Sequence, residues 1–228
     1  WMEHEGIYYF FDHDDNASVG EVLNMVDYKE AQPEKTVSLR YTPPENVQTD
    51  RQDNCVTAFN CRKTHIPGQV LVQDFNFRKA SLGDSLKSEH AVAGGKKGRY
   101  MYYGDNLRTE PDAERLARIR SEELACKGTT YHGTAPAAGV RSGYFLEVSH
   151  HYRDSYNKKY WVTSVEHQGS QTGVILAGQN TTYNDGEQGS IYECRFTALE
   201  ASQQFRPERT ASKPVIAGLL NAVIDAEG

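Results

Sequence analysis

The chain has 228 residues, 38% of them hydrophobic, and carries a formal net charge of −6. That is enough for one large or two modest cores, and acidic and basic residues interspersed along the chain leave no basic face for nucleic acid. No apolar run approaches the ~20 residues a membrane helix needs, and the first residues lack the basic, apolar, small-residue order of a secretory signal.

Ile7–Phe11 is aromatic and β-branched, bounded by Gly6 and the polar cluster Asp12–Asn16, which predicts a strand and a turn. Glu21–Asp27 is expected to return beside it. Lys35–Pro44 alternates Val37, Leu39 and Tyr41 with Thr36, Ser38 and Arg40, the period of a half-buried strand, and Pro43 and Pro44 end it. Three strand-like runs follow between Asn54 and Phe77, separated by Asn60–Lys63 and Pro67–Gly68, and read as a compact β module. Ser81–Lys97 is polar, runs into Gly94–Gly98, and is expected to be an exposed loop.

One helix is well marked. Thr109 and Asp112 make a capping-box start, Pro111 fits the first turn and Gly128 the exit. Ala113, Leu116, Ala117, Ile119 and Leu124 form its apolar face, with Arg115, Arg118, Glu122 and Glu123 expected to face out. Strands are expected at Tyr144–Val148, Tyr160–Val165, Gly173–Ala177 and Ile191–Ala198, with turns at Asn157–Lys158 and Asn184–Gly186. The pattern predicts a mainly β (α+β) protein, an antiparallel β-barrel with a covering helix.

Groups that could carry chemistry are few. Asp12, His13, Asp14 and Asp15 offer oxygen and imidazole ligands, but in the spacing of a solvated turn rather than of a calcium loop. His150 and His151 are adjacent and so point to opposite faces of a strand, while His4, His132 and His167 are isolated. Glu3 and Glu5, two apart, would share a strand face, in a packing or charge-pairing role. Cys55, Cys61, Cys126 and Cys194 lack the spacing of a zinc site and are too scattered for a disulfide framework. Gly94–Gly98 lacks the phosphate-loop spacing, Ser142–Gly143 is not a nucleophile elbow, and the sequon at Asn180 is of the kind that arises by chance. No catalytic, cofactor-binding or metal-binding residue is assigned.

Four blocks, in order along the chain, carry a resemblance. Trp1–His13 is similar to a "ME-x-EGIYYFFEH" signature; Gln73–Lys79 resembles a "DYDFRKP" stretch, with Ala80 in place of the usual proline; Tyr160–His167 resembles a "YLVTSVEH" strand. Phe205–Arg209, Lys213–Gly218 and Ala222–Gly228 resemble the connector leading into an OB-type barrel. Together they resemble the VgrG family, the spike proteins of the type VI secretion system.

The resemblance implies barrels of the phage tail hub and tube type. It divides the chain into residues 1–35, the end of a first barrel-type or inserted hub domain; 36–98, a β-rich middle module; 99–202, the helix and antiparallel barrel; and 203–228, a connector to an OB-type domain and needle. Phe205, Arg206 and Pro207 are expected to fix that connector against the barrel, and Tyr160–Trp161 to lie in the core. The family implies a homotrimer capping a hexameric Hcp-type tube ring, contacts with baseplate proteins, effector cargo, assembly in the bacterial cytoplasm and later ejection, with no enzymatic activity and no stable membrane insertion. The alternatives are a hub protein of a phage tail or phage-tail-like bacteriocin, and a metal-dependent hydrolase using Asp12, His13 and Asp14 with His150 or His151.

Overall fold

The computed structural model describes residues 1–13, 20–43, 55–75, 86–169, 192–212, 215 and 217–219. A helical turn, α1 (Met2–Glu5), leads into a hairpin of β1 (Tyr8–His13) and β2 (Glu21–Val26), as the aromatic run and its expected return require. Seven strands make the main sheet: β3 (Thr36–Tyr41), β4 (Cys55–Val56), β5 (Ala58–Lys63), β9 (Thr129–Ala135), β10 (Phe145–Ser149), β11 (Lys159–Gly169) and β12 (Tyr192–Glu200), in the order β4-β3-β10-β11-β12-β9-β5. The pairings of β3 with β4 and β10 are parallel and the other four antiparallel, so the sheet is mixed.

This sheet nearly closes on itself. Its two terminal strands, β4 and β5, are separated in sequence by Thr57 alone. Thr57 donates its backbone N–H to the Thr134 carbonyl at 2.8 Å and its hydroxyl to the same oxygen at 3.1 Å. One continuous segment therefore serves both ends of the sheet, which covers the open edges that would otherwise invite pairing with other chains.

Period-two alternation fills the interior. Phe59, Tyr131, Leu146, Val148, Tyr160, Val162, Phe196 and Ala198 point inward and are buried, each large apolar side chain contributing roughly 1.5–3 kcal/mol. Phe59 stacks on Tyr131 at 5.7 Å and meets Tyr160 edge-on at 5.1 Å. Gly133 lies between Phe59 and Phe196 in register; a Cβ there would sit 2.2 Å from Cζ of Phe196, so the ring occupies the space any other residue would need. A bulge in β11 between Val162 and Ser164 shifts the alternation by one residue and lets Val165 share the interior with Val162.

A second sheet, in the order β7-β6-β8, comprises β6 (Gln69–Gln73), β7 (Lys87–Ala91) and β8 (Arg99–Tyr103). The helix α2 (Glu110–Cys126) lies on it, burying Ala113, Leu116, Ala117, Ile119 and Leu124 with Val70, Val72, Leu86 and Val92. The capping box forms as expected: the Asp112 N–H donates to Oγ1 of Thr109, and the Thr109 N–H donates to Asp112.

The strands between residues 36 and 98 thus divide between two sheets, because β6 pairs with β7 and β8 rather than with β5. Lys87–Ala91, within the expected loop, is a strand, its exposed face polar because it lies at the edge of the sheet. Asn60–Lys63, expected as a break, continues β5 against β9, and β9 itself went unforeseen. Gly173–Ala177 and Asn184–Gly186 lie outside the described residues.

The hairpin packs on the outside of the barrel. Tyr8, Phe10 and Val26 close over Trp161, with Phe145 and Phe205 at the margin. Tyr160 and Trp161 are both core residues, in two different cores, because adjacent side chains on β11 point to opposite faces.

Candidate functional site: the connector clamp

The chemistry-bearing residues singled out in the sequence are dispersed. Asp12 is buried and accepts hydrogen bonds from Lys35 Nζ and the Tyr144 hydroxyl, tying the hairpin to the barrel. Burial, followed by the hydrogen bond to Asp12, raises the Tyr144 hydroxyl above its ordinary value. Asp14, Asp15 and the side chain of His13 lie outside the described residues.

His151 is buried among Tyr41, Tyr152 and Tyr156, with ring centroids 4.3–4.7 Å away, and its Nδ1 accepts from the Arg153 N–H at 3.0 Å. Burial lowers its pKa, so it is a neutral core histidine. His150 is exposed, on left-handed backbone. Lys35 and Tyr144 precede the first rung of the β3–β10 ladder and His151 follows the last. Asp12 is therefore tied to residues at one end of that ladder, and His151 lies beyond the other. Among the described residues, no three His, Cys, Asp or Glu side chains cluster as a metal site would require.

The most heavily bonded polar cluster lies where the C-terminal connector crosses α1 and α2. Gln204 and Phe205 start it: the Cys126 thiol donates to the Gln204 carbonyl and accepts from the Arg206 N–H, both at 3.4 Å, and Phe205 meets Tyr8 edge-on at 5.0 Å. Burial pushes the Cys126 thiol up to about 11.

Arg206 follows, buried in spite of its charge. Its Nε donates to Glu122 at 2.6 Å, and its Nη1 donates to the carbonyls of Gly6, at 2.9 Å, and Asp27. Those two carbonyls belong to the exit of α1 and the end of the hairpin, so one guanidinium joins the helix, the N-terminus and the connector. Gly6 makes this fit. Its φ is +73°, and a Cβ there would lie 2.8 Å from Cγ2 of Ile119 and 2.9 Å from Cδ of Arg206.

Arg209 grips Asp105 with both terminal nitrogens at 3.1 and 2.9 Å, and its N–H donates to Glu123 at 3.2 Å. The hydrogen bonds that Arg209 donates to Asp105 raise its pKa above the ordinary value. Glu3 accepts from the N–H groups of Thr210, at 2.9 Å, and Ala211, at 2.8 Å, and the Ala211 bond is the main cause of its lowered pKa. Beneath them Arg120, fully buried, donates to Glu123 and to the carbonyls of Glu3, at 2.9 Å, and His4, at 2.6 Å.

Two expectations are corrected here. Glu123 does not face out but lies buried between Arg120 and the Arg209 backbone, since the Arg120 guanidinium one turn before it and the N–H of the distant Arg209 together satisfy its carboxylate. Glu3 and Glu5 sit on a helical turn rather than a strand, and both pair as expected, Glu5 with Arg115. Arg120 carried no sequence signal beyond lying three residues from Glu123. Phe205 and Arg206 fix the connector, against α2 and the hairpin; no disulfide links the four cysteines.

A nearly closed barrel, an apposed hairpin and a helix-backed second sheet define a protein of the contractile tail hub class. The Escherichia coli c3393 protein, a type VI secretion component with structural similarity to the T4 tail proteins gp27 and gp5, superimposes with a TM-score of 0.53 at 18% identity, over 95% of this chain and 40% of that one. The 43 kDa tail protein of prophage MuSo2 from Shewanella oneidensis gives 0.53 at 10% identity, over 89% and 52%.

Residues 1–173 match the phage tail baseplate hub (GPD) family, and the chain belongs to that family. It is similar to the type VI secretion system spike proteins VgrG1b (27% identical over 227 residues) and VgrG1c (26% over 225) of Pseudomonas aeruginosa. The chain spans 29% and 30% of their lengths, with 98% of its own residues covered in each case. No helix among the described residues is long and apolar enough to cross a membrane.

Proposed function

We propose that this chain is the hub segment of a type VI secretion spike protein, a structural part rather than an enzyme. In this reading three copies form a ring that caps an Hcp-type tube, the connector from residue 203 leads toward an OB-type domain and needle, and baseplate proteins and effector cargo attach to the assembly. The particle is built in the cytoplasm and then ejected. The observation that carries this reading is similarity to VgrG1b along almost the whole chain, joined to a connector bonded to the C-terminal part of α2 and to Asp105 in the segment before it. A part that transmits thrust from a tube to a needle needs such a rigid junction.

Of the domain stretches read from the sequence, the junction at 203 is the one this reading uses. Light scattering after size exclusion tests the ring: a mass of three chains supports it, and a monomer at every concentration overturns it. The second reading, a phage tail hub, is favoured by the equal TM-score of the MuSo2 tail protein. Binding to a phage tube protein in preference to an Hcp-type ring would decide for it.

A further inference from the structure

The hairpin is apolar on both faces. Tyr8, Phe10 and Val26 are buried against Trp161, yet Tyr9, Phe11, Leu23 and Met25 on the opposite face are 48–64% exposed. They form one patch, because Tyr9 pairs with Met25 and Phe11 with Leu23 in register, with the Tyr9 and Phe11 rings 6.1 Å apart. Strands apolar on both faces belong between two layers, and this hairpin has one.

A second pair of exposed apolar side chains, Met101 and Tyr103, lies on the outer face of β8, an edge strand of the small sheet, and these are 52% and 62% exposed. The exposed fractions correspond to about 450 Å² on the hairpin and about 250 Å² on β8, the former as large as the patches that mark interaction sites. Joined, they total about 700 Å², the larger part of the apolar share of a standard 1,600 Å² interface.

A closed ring of three is built from head-to-tail contacts, so every copy must present two different surfaces that fit each other. Resting on the ring reading above, we propose that the outer face of the β1–β2 hairpin of one copy is buried against the β8 face of the next. The occupant of each patch is thus a second copy of this chain.

The test uses two double variants, Leu23→Lys/Met25→Lys on the hairpin and Met101→Lys/Tyr103→Lys on β8, each checked for a wild-type far-UV circular dichroism spectrum. Each alone is expected to run as a monomer where the wild type is a trimer. Mixed in equal amounts, they are expected to form dimers containing one of each, since the intact hairpin of the second can still meet the intact β8 of the first. Either variant keeping the trimer mass, or a mixture that stays monomeric, overturns this pairing and leaves the ring reading standing. A wild-type chain that never trimerises removes the ring reading, and this proposal with it.

Discussion

Replacing Arg206 with alanine removes a guanidinium that no single substitute can imitate. The loss strands the carbonyls of Gly6 and Asp27 and leaves the partly buried Glu122 carboxylate without its cation. Removing one partner of a buried ion pair costs about 3–5 kcal/mol, and each orphaned buried acceptor alone about 1–3. Non-additive as they are, these give a loss of about 3–5 kcal/mol, or roughly 6–20 °C in melting temperature for a chain of this size. Arg206→Lys keeps the charge but not the fork and is expected to recover less than half. Urea denaturation of the three proteins, followed by Trp161 fluorescence, measures this directly. An alanine variant within about 0.5 kcal/mol of wild type would show that the connector is not held by this side chain.

Other consequences follow from the same geometry. Gly6→Ala combines left-handed backbone with contacts below 3 Å to Ile119 and Arg206 and should cost about 2–4 kcal/mol by the same denaturation assay. Because Glu3 has a lowered pKa when folded, its hold on Thr210 and Ala211 is fully present above the ordinary carboxylate value near 4.5 and fades as pH falls through the folded value. Acid-active protease should therefore begin to cut near residue 210 in that window, and Glu3→Gln should be cut equally at higher pH. In thiol titration Cys61 should react first. Cys126, at about 11 against an ordinary 9.0, has roughly 100-fold less thiolate and should remain silent until denaturant is added.

The parts of the fold legible in the sequence are those whose signal is local. Thr36–Tyr41 alternates cleanly, Tyr160–Val165 is an unbroken run of aromatic, β-branched and small residues, and α2 announces its start through Thr109, Pro111 and Asp112. β9 was hidden because His132 and Gly133 break its apolar alternation; Gly133 is explained by the Phe196 ring lying over it, a contact 63 residues away in sequence. β7 looked like a loop because its side chains are polar and its strand character comes from pairing with β6. The clamp was half legible: Phe205 and Arg206 drew notice through the family-like connector, whereas Arg120 and Glu123 look like ordinary surface charges until α1 and the connector close over them. Charge burial is a tertiary property, and no local pattern encodes it.

The proposed capping of a tube is tested by native mass spectrometry of the chain mixed with an Hcp-type hexameric ring. The account predicts a complex of three copies of this chain on one ring. Rings and chains that fly separately, or a complex with any other number of copies, would contradict it.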